Sequence, residues 1–206
     1  ALACATIQAS RWNRTTPFIN PMCGSGTLAI EAALLASRKY PGWFRSNYSF
    51  MHTCGYDAGI FLREKRTMQA KKINLSGKYF VATDISADAI EIAQVNAKMA
   101  GVEEMIAFKQ CDFADTPIPP SDAGVIFFNP EYGDRLGAEQ ALQVTYKRMG
   151  DFLKKNGSGY WGYIFTGNLE LAKSIGLKPK RRLEFFNGKI DCRLLEYELY
   201  QGSRQA

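Results

Sequence analysis

Short apolar runs, each followed by a turn and then a helical stretch, repeat along almost the whole chain, and this alternation constrains the fold more than any other feature. Strands joined through helices pair in parallel, and both faces of the sheet they form are covered. Pro17–Asn20, Tyr79–Thr83, Met105–Gln110, Gly124–Phe128 and Tyr160–Phe165 read as strands. Helices are predicted over Ala1–Ala9, Thr27–Lys39, Ala58–Leu75, Ala87–Ala100, Glu139–Lys155 and Leu169–Ile175. Ser86 is placed to cap the fourth of these and Gly101 to end it. Two last strands, around Arg182–Phe186 and Arg193–Tyr200, have no helix between them, and the Asn187-Gly188 pair reads as their hairpin turn. The expected fold is α/β: a mostly parallel seven-stranded sheet, closed by an antiparallel hairpin, with helices on both faces.

At 206 residues the chain is expected to form a single domain, 1–206, and 46% hydrophobic with 22% charged residues excludes a disordered or collagen-like chain. Apolar runs such as Val125–Phe128 are too short to cross a membrane as a helix. The first ten residues lack the charged start and apolar stretch of a signal peptide. The helix at Ala1 begins without a cap or a methionine, so residues 1–12 read as the remnant of a connection to a missing N-terminal region. Cysteines 4, 23, 54, 111 and 192 form no C-x-x-C pair, and there is one histidine, His52. That argues against a zinc site or a disulfide framework and for the cytoplasm. The net charge of +6 suits either a polyanionic partner or a basic solvated surface.

Ligands of open α/β sheets bind outside the carboxyl ends of the strands. After the first strand comes Asn20-Pro21-Met22-Cys23-Gly24-Ser25-Gly26-Thr27. Two glycines let backbone approach a ligand closely, although a tight turn would also use them, and no Gly-Lys-Ser/Thr follows to make a phosphate loop. After the second strand, Asp84 precedes Ile85 and suits ribose hydroxyls or, alternatively, a helix N-terminus. Asp57 competes by spacing, but the residues before it make a poor strand; residues 40–77 are therefore read as an insertion. Asp112 and Phe113 follow the third strand, as an acceptor for an adenine amine and a ring to cover the base, or as a solvated loop. Asn129, Pro130, Glu131 and Tyr132 follow the fourth. An amide oxygen and a free carbonyl can accept both N–H bonds of an exocyclic amine while the aromatic ring stacks on its base. A plain turn would also use Asn and Pro.

These four segments, with the inserted Phe50–Lys72 and the terminal F-F-N-G-K-I-D-C-R-L-L-E-Y-E-L, resemble S-adenosylmethionine-dependent methyltransferases, and more closely the THUMP-containing RNA guanine-N2 methyltransferases of the large-subunit ribosomal RNA type. The resemblance covers nearly the whole chain. It implies a Rossmann-like class I methyltransferase fold, S-adenosyl-L-methionine as cofactor, ribosomal RNA as partner, and a THUMP-bearing region preceding this domain. It also places Asn20, Pro21, Cys23, Gly24, Ser25, Gly26 and Thr27 at the methionine end of the cofactor, Asp84 and Ile85 at the ribose, Asp112 and Phe113 at the adenine, and Asn129, Pro130 and Tyr132 at the reacting amine. The family has Asp where Asn20 stands and a second proline where Glu131 stands. Asn keeps an acceptor but gives up a charge, and Glu131 sets a carboxylate beside the RNA.

The implied chemistry needs alignment more than a base, since an activated methyl donor and an oriented amine suffice. Alternatives are an adenine-N6 methyltransferase on RNA or DNA, whose amine fits the same loop, and a catalytically weak RNA-binding domain that retains the cofactor fold. Arg135, Lys180, Arg181 and Arg182 are candidate RNA phosphate contacts, or part of a solvated strand edge. Trp43, Phe44, Tyr48 and Phe50 read as a small satellite core, with base stacking as the alternative. No metal site is expected.

Overall fold

The computed structural model describes residues 1–40, 44–75, 77, 79–131 and 139–200. Seven strands form one sheet: β1 (Phe18–Pro21), β2 (Phe80–Asp84), β3 (Ile106–Gln110), β4 (Gly124–Phe128), β5 (Tyr160–Thr166), β6 (Arg181–Asn187) and β7 (Ile190–Glu198). Their spatial order is β3-β2-β1-β4-β5-β7-β6. The first five run parallel, and β7 enters antiparallel between β5 and β6. The helices are α1 (Leu2–Ala9), α2 (Thr27–Ser37), α3 (Ala58–Ala70), α4 (Ala87–Met99), α5 (Glu139–Asn156) and α6 (Leu169–Lys173).

Adjacent strand residues point to opposite faces, and both faces are dry. Phe18, Phe80, Phe127 and Leu194 pack under α1, α2 and α4, with Ile7, Leu28 and Ile90. Ile19, Ile126, Phe128 and Leu195 pack under α5, against Tyr146, Met149 and Phe152. Ala29, Ala32, Ala33, Ala93 and Ala97 are fully buried, so small side chains let α2 and α4 lie close together on the sheet. Ser86 caps α4 as its position predicts, its hydroxyl accepting from the Ala89 N–H.

Three local expectations are corrected. The inserted helix α3 stops at Ala70 rather than Leu75 and buries none of its residues, so no core extends it. The helix after β1 ends at Ser37, because Arg38 turns left-handed at φ 52°. The hairpin turn is Gly188-Lys189 rather than Asn187-Gly188, since Asn187 still pairs with Ile190 and Gly188 takes φ 62°. A glycine at the first of two turn residues gives the strands the twist they need. In the insertion, Tyr48, Phe50, Tyr56 and Phe61 contact one another at 5.2–6.4 Å between centroids. They form a satellite cluster apart from the two buried cores, while Phe44 is 72% exposed and Trp43 lies outside the described residues.

Candidate active site at the carboxyl edge of the sheet

The loop between β1 and α2 is fastened from three sides. The Cys23 N–H donates to the Thr83 carbonyl, Asp84 Oδ2 accepts from the Gly24 N–H at 2.9 Å, and Asn96 Nδ2 of α4 donates to the Ser25 carbonyl at 3.0 Å. Gly26 has to be glycine: its φ is 80°, and a Cβ there would stand 2.9 Å from that of Ala93. Gly24 also has positive φ, but a Cβ on it would meet nothing within 4 Å, so this backbone faces open space.

Asp84 is therefore part of the scaffold as well as a candidate ligand group. Its second oxygen accepts from the Ser86 N–H at 3.0 Å, which is the helix-end role weighed from the sequence. Each carboxylate oxygen has a further lone pair. Ile85 is 71% exposed beside it, an apolar platform at the strand end. Asp112 Oδ1 accepts from the Ala114 N–H and from Arg148 Nη2, both at 2.8 Å. Burial pushes this carboxyl up, but Arg148 and the Ala114 N–H outweigh it and hold Asp112 below its ordinary value.

The ring of Phe113, expected at the adenine, is turned into the core. It is 6% exposed, meets Phe128 and Phe152 edge-on, and carries the Arg148 guanidinium over it at 4.8 Å. Apolar burial draws the ring into the core. Its N–H, first in a short 3-10 turn, has no intrahelical acceptor.

Asn20 is 1% exposed at the end of β1. Its Nδ2 donates to the Phe127 carbonyl at 2.9 Å, which turns Oδ1 away, and Oδ1 is a buried polar atom without a partner among the described residues. Such an atom costs about 1–3 kcal/mol unless something donates to it. Pro21 is the last residue of β1, with Thr27 opening α2. Cys23 is buried, and burial, followed by the Asp84 charge, pushes its thiol up to about 12. It is a protonated packing group at neutral pH.

A cleft of about 330 Å³ opens between this loop, α1 and the ends of β4, β5 and β6. Cys23, Gly24, Ser25, Thr27 and Asn129 line it, together with Leu2, Thr6, Phe127, Phe165 and Asn187. The structure thus brings Asn129 and the glycine loop to one cavity, while Asp84 and Asp112 stand on the neighbouring open surface at the ends of β2 and β3. Sequence reasoning missed the wall residues from α1, β5 and β6. The carboxyl-end rule, extended to every strand, would have found Phe165 and Asn187. Asn129 is exposed, with no hydrogen bond to its side chain among the described residues, while Pro130 is buried and Glu131 exposed. Tyr132 and Arg135 lie outside the described residues.

The basic cluster lies at one end of β6, an edge strand of the sheet. Lys180, Arg181 and Arg182 stand at the amino end of β6, about 20 Å of strand from its carboxyl end at Asn187. Arg181 binds the buried Glu196 carboxylate, which also takes Arg11 at 3.0 Å and the Tyr163 hydroxyl at 2.9 Å. Lys180 pairs with Glu198 at 2.6 Å, and Arg182 is exposed. Lys180 and Arg181 hold the start of β6 to β7, and Arg11 ties the segment after α1 to the same Glu196 carboxylate. Among the described residues, no cluster of His, Cys, Asp and Glu could hold a metal, and no helix is long and apolar enough to cross a membrane.

This strand order, with a glycine loop after β1, an acid after β2 and Asn-Pro after β4, is the Rossmann-like α/β architecture of class I methyltransferases. The chain belongs to the family described as UPF0020, RMKL-like, methyltransferase domain, which matches residues 1–196. It is 34% identical over 97% of its length to "Putative RNA methyltransferase slr0064" of Synechocystis sp. (strain ATCC 27184 / PCC 6803 / Kazusa) and covers 52% of that protein. SMU.472, crystallised with S-adenosylhomocysteine, superposes with a TM-score of 0.88 at 26% identity over 98% of this chain and 53% of that one. A Listeria monocytogenes str. 4b F2365 protein, described as a "predicted N6-adenine-specific DNA methylase", superposes with a TM-score of 0.83 at 28% identity over 96% of this chain and 50% of that one. The chain thus spans about half the length of the relatives it matches.

Proposed function

We propose that this chain is the S-adenosyl-L-methionine-dependent catalytic domain of an RNA methyltransferase that modifies the exocyclic N2 amine of a guanine, in ribosomal RNA. The observation that carries the reading is the unpartnered Asn20 Oδ1, buried at the end of β1 beside the glycine loop. An ammonium group would satisfy it, and the cofactor carries one. The homologues named for RNA methylation or crystallised with the demethylated cofactor point the same way. A THUMP-bearing region outside this chain, delivering RNA in the cytoplasm, belongs to the same reading.

The cofactor supplies a methyl group already activated on a sulfonium. Asn20 accepts from its ammonium, the Gly24 backbone lies against its methionine part, and Asp84 offers a lone pair to the ribose. Ile85, rather than the ring of Phe113, gives the apolar surface for the adenine, and the Phe113 N–H is a donor to that ring. Asn129 Oδ1 and the Pro130 carbonyl accept the two amine N–H bonds and hold the nitrogen in line. Alignment of this kind lowers barriers by several kcal/mol. The proton released leaves to water, since the Cys23 thiol is protonated and the sole histidine, His52, belongs to the insertion. The name of the Listeria relative favours adenine N6 as the second reading, because one pair of acceptors serves either amine.

Calorimetric titration with S-adenosylhomocysteine tests the cofactor half. Asn20→Leu is expected to weaken binding about tenfold or more, the usual cost of a lost charge-assisted hydrogen bond. Unchanged affinity would remove Asn20 from the site.

A further inference from the structure

Arg148 comes from α5 and reaches across to Asp112 at the end of β3. Its Nη2 donates to Asp112 Oδ1 at 2.8 Å, and its guanidinium lies over the Phe113 ring at 4.8 Å. That ring is itself held, edge-on to Phe128 and Phe152 at 5.8 and 6.4 Å. Arginine stacks on an aromatic face while its N–H groups stay available at the edge of the guanidinium plane. Contacts with two consecutive residues, one stacked and one hydrogen-bonded, thus keep a long side chain in one place.

As a source of stability this pair is weak. Both partners keep water, and ion pairs of that kind contribute little. Its geometry says more. The Ala114 N–H also donates to Oδ1, at 2.8 Å, so two donors from different elements converge on one oxygen. The terminal torsion of aspartate is broad, and a single donor leaves the carboxylate able to swing. Two donors at Oδ1 fix its plane and leave Oδ2 as an acceptor without a donor among the described residues. The next N–H in the chain, that of Phe113, has no intrahelical acceptor. One acceptor and one donor therefore stand side by side at the end of β3. The edge of adenine carries the complementary pair, an amine that donates and a ring nitrogen, N1, that accepts.

We propose that Arg148 is a positioning residue for cofactor recognition: it holds Asp112 so that Oδ2 accepts from the adenine amine while the Phe113 N–H donates to N1. The proposal rests on the methyltransferase reading above, which seats the adenosine at the ends of β2 and β3. Arg148 acts through Asp112. With the Ala114 N–H alone, the carboxylate would still cap its short turn, but it would face the amine in a fraction of its orientations.

The test is calorimetric titration of the full-length protein with two ligands. One is S-adenosylhomocysteine. The other is S-inosylhomocysteine, which has a carbonyl oxygen in place of the amine and N1–H in place of N1. The second ligand sets an acceptor against Oδ2 and a donor against the Phe113 N–H, so wild type is expected to bind it about tenfold more weakly or worse, the usual cost of stranded hydrogen-bonding groups. Arg148→Met keeps the bulk of the side chain without its N–H groups. It is expected to bind S-adenosylhomocysteine about threefold to tenfold more weakly, with the affinity for S-inosylhomocysteine no lower, so that the preference narrows. In an Asp112→Ala background the same substitution should change S-adenosylhomocysteine affinity by less than about twofold, since a residue that acts through another is not additive with it. A merely structural Arg148 would weaken both ligands alike, and that result overturns the proposal, as does an unchanged preference in Arg148→Met. Wild type that binds the two ligands equally removes Asp112 from the adenine and Arg148 with it, and the methyltransferase reading stands. Wild type that binds neither overturns both.

Discussion

On the β1–β3 side of the cleft, polar side chains serve the protein's own backbone: Asp84 joins Gly24 to Ser86, Asn96 holds Ser25, and Asp112 joins Ala114 to Arg148. Beyond β4 the order is reversed. Asn129 stands exposed with no hydrogen bond to its side chain among the described residues, and the strongest polar cluster of that half, around Glu196, lies on β7, away from the cleft. The β1–β3 half, where we place the cofactor, is thus tied down by its own hydrogen bonds except at Asn20 Oδ1, whereas the proposed base acceptor Asn129 is left open. A cofactor is the same molecule in every cycle and repays a fixed seat. A target base has to be drawn out of an RNA and oriented anew each time.

The largest expected effect falls on the open half. Asn129→Ala should lower the single-turnover rate about 10²-fold or more, because a freely rotating amine is rarely in line. Calorimetry should find cofactor affinity nearly unchanged, and a parallel loss of affinity would erase the contrast between the halves.

Glu196→Gln is next. Removing one partner of a buried pair costs about 3–5 kcal/mol, but the Arg11 and Arg181 heads are 44% and 39% exposed and keep some water, so about 2 kcal/mol is expected in denaturant unfolding. Burial pushes this carboxyl up, and Arg181, Arg11 and Tyr163 outweigh it and hold Glu196 below its ordinary value. A folded pKa below the unfolded one contributes stability above the unfolded value, about 4.3, and that stability is lost as pH falls through the folded value. The gap between wild type and Glu196→Gln should therefore be full at pH 7 and close below about pH 4. A gap that widens in acid would reverse the assignment.

Asp84→Ala acts on the organised half. It frees the Gly24 and Ser86 N–H groups as well as removing a ribose acceptor, so cofactor binding should weaken by about 1–2 kcal/mol, with some loss of stability. Wild-type affinity would make Asp84 a brace only. Arg148→Met is the smallest change. The pair with Asp112 is partly exposed, at 46% and 29%, and its loss should cost about 0.5 kcal/mol in unfolding.

Strand and helix order was legible in the sequence because period-two and period-3.6 patterns are local, and Ser86 and Gly26 follow from capping and from positive φ. Pairings distant in sequence were not. Nothing in the sequence says that Glu196 meets Arg11 and Arg181, so the basic run at 180–182 read equally as RNA contacts or as a solvated strand edge, and the ties of Lys180 and Arg181 to the sheet stayed hidden. Phe113 was assigned to the adenine because its position after β3 is visible, while the burial of its ring depends on Phe128 and Phe152, which lie on other elements. The turn slipped by one residue because Asn-Gly is the commoner turn pair, yet the register keeps Asn187 in the strand. The Asn20-for-Asp departure was visible, but its meaning lay in the Phe127 carbonyl, which turns the amide and leaves Oδ1 open.

The central claim is that an amine held at Asn129 and Pro130 takes a methyl group from a cofactor seated on the β1–β3 side. Incubating the full-length protein with methyl-labelled S-adenosylmethionine and unmodified large-subunit ribosomal RNA, then digesting the RNA to nucleosides, tests it directly. The account predicts label in N2-methylguanosine, absent with Asn129→Ala. Label on a ring carbon or a ribose, or wild-type labelling by Asn129→Ala, would contradict it.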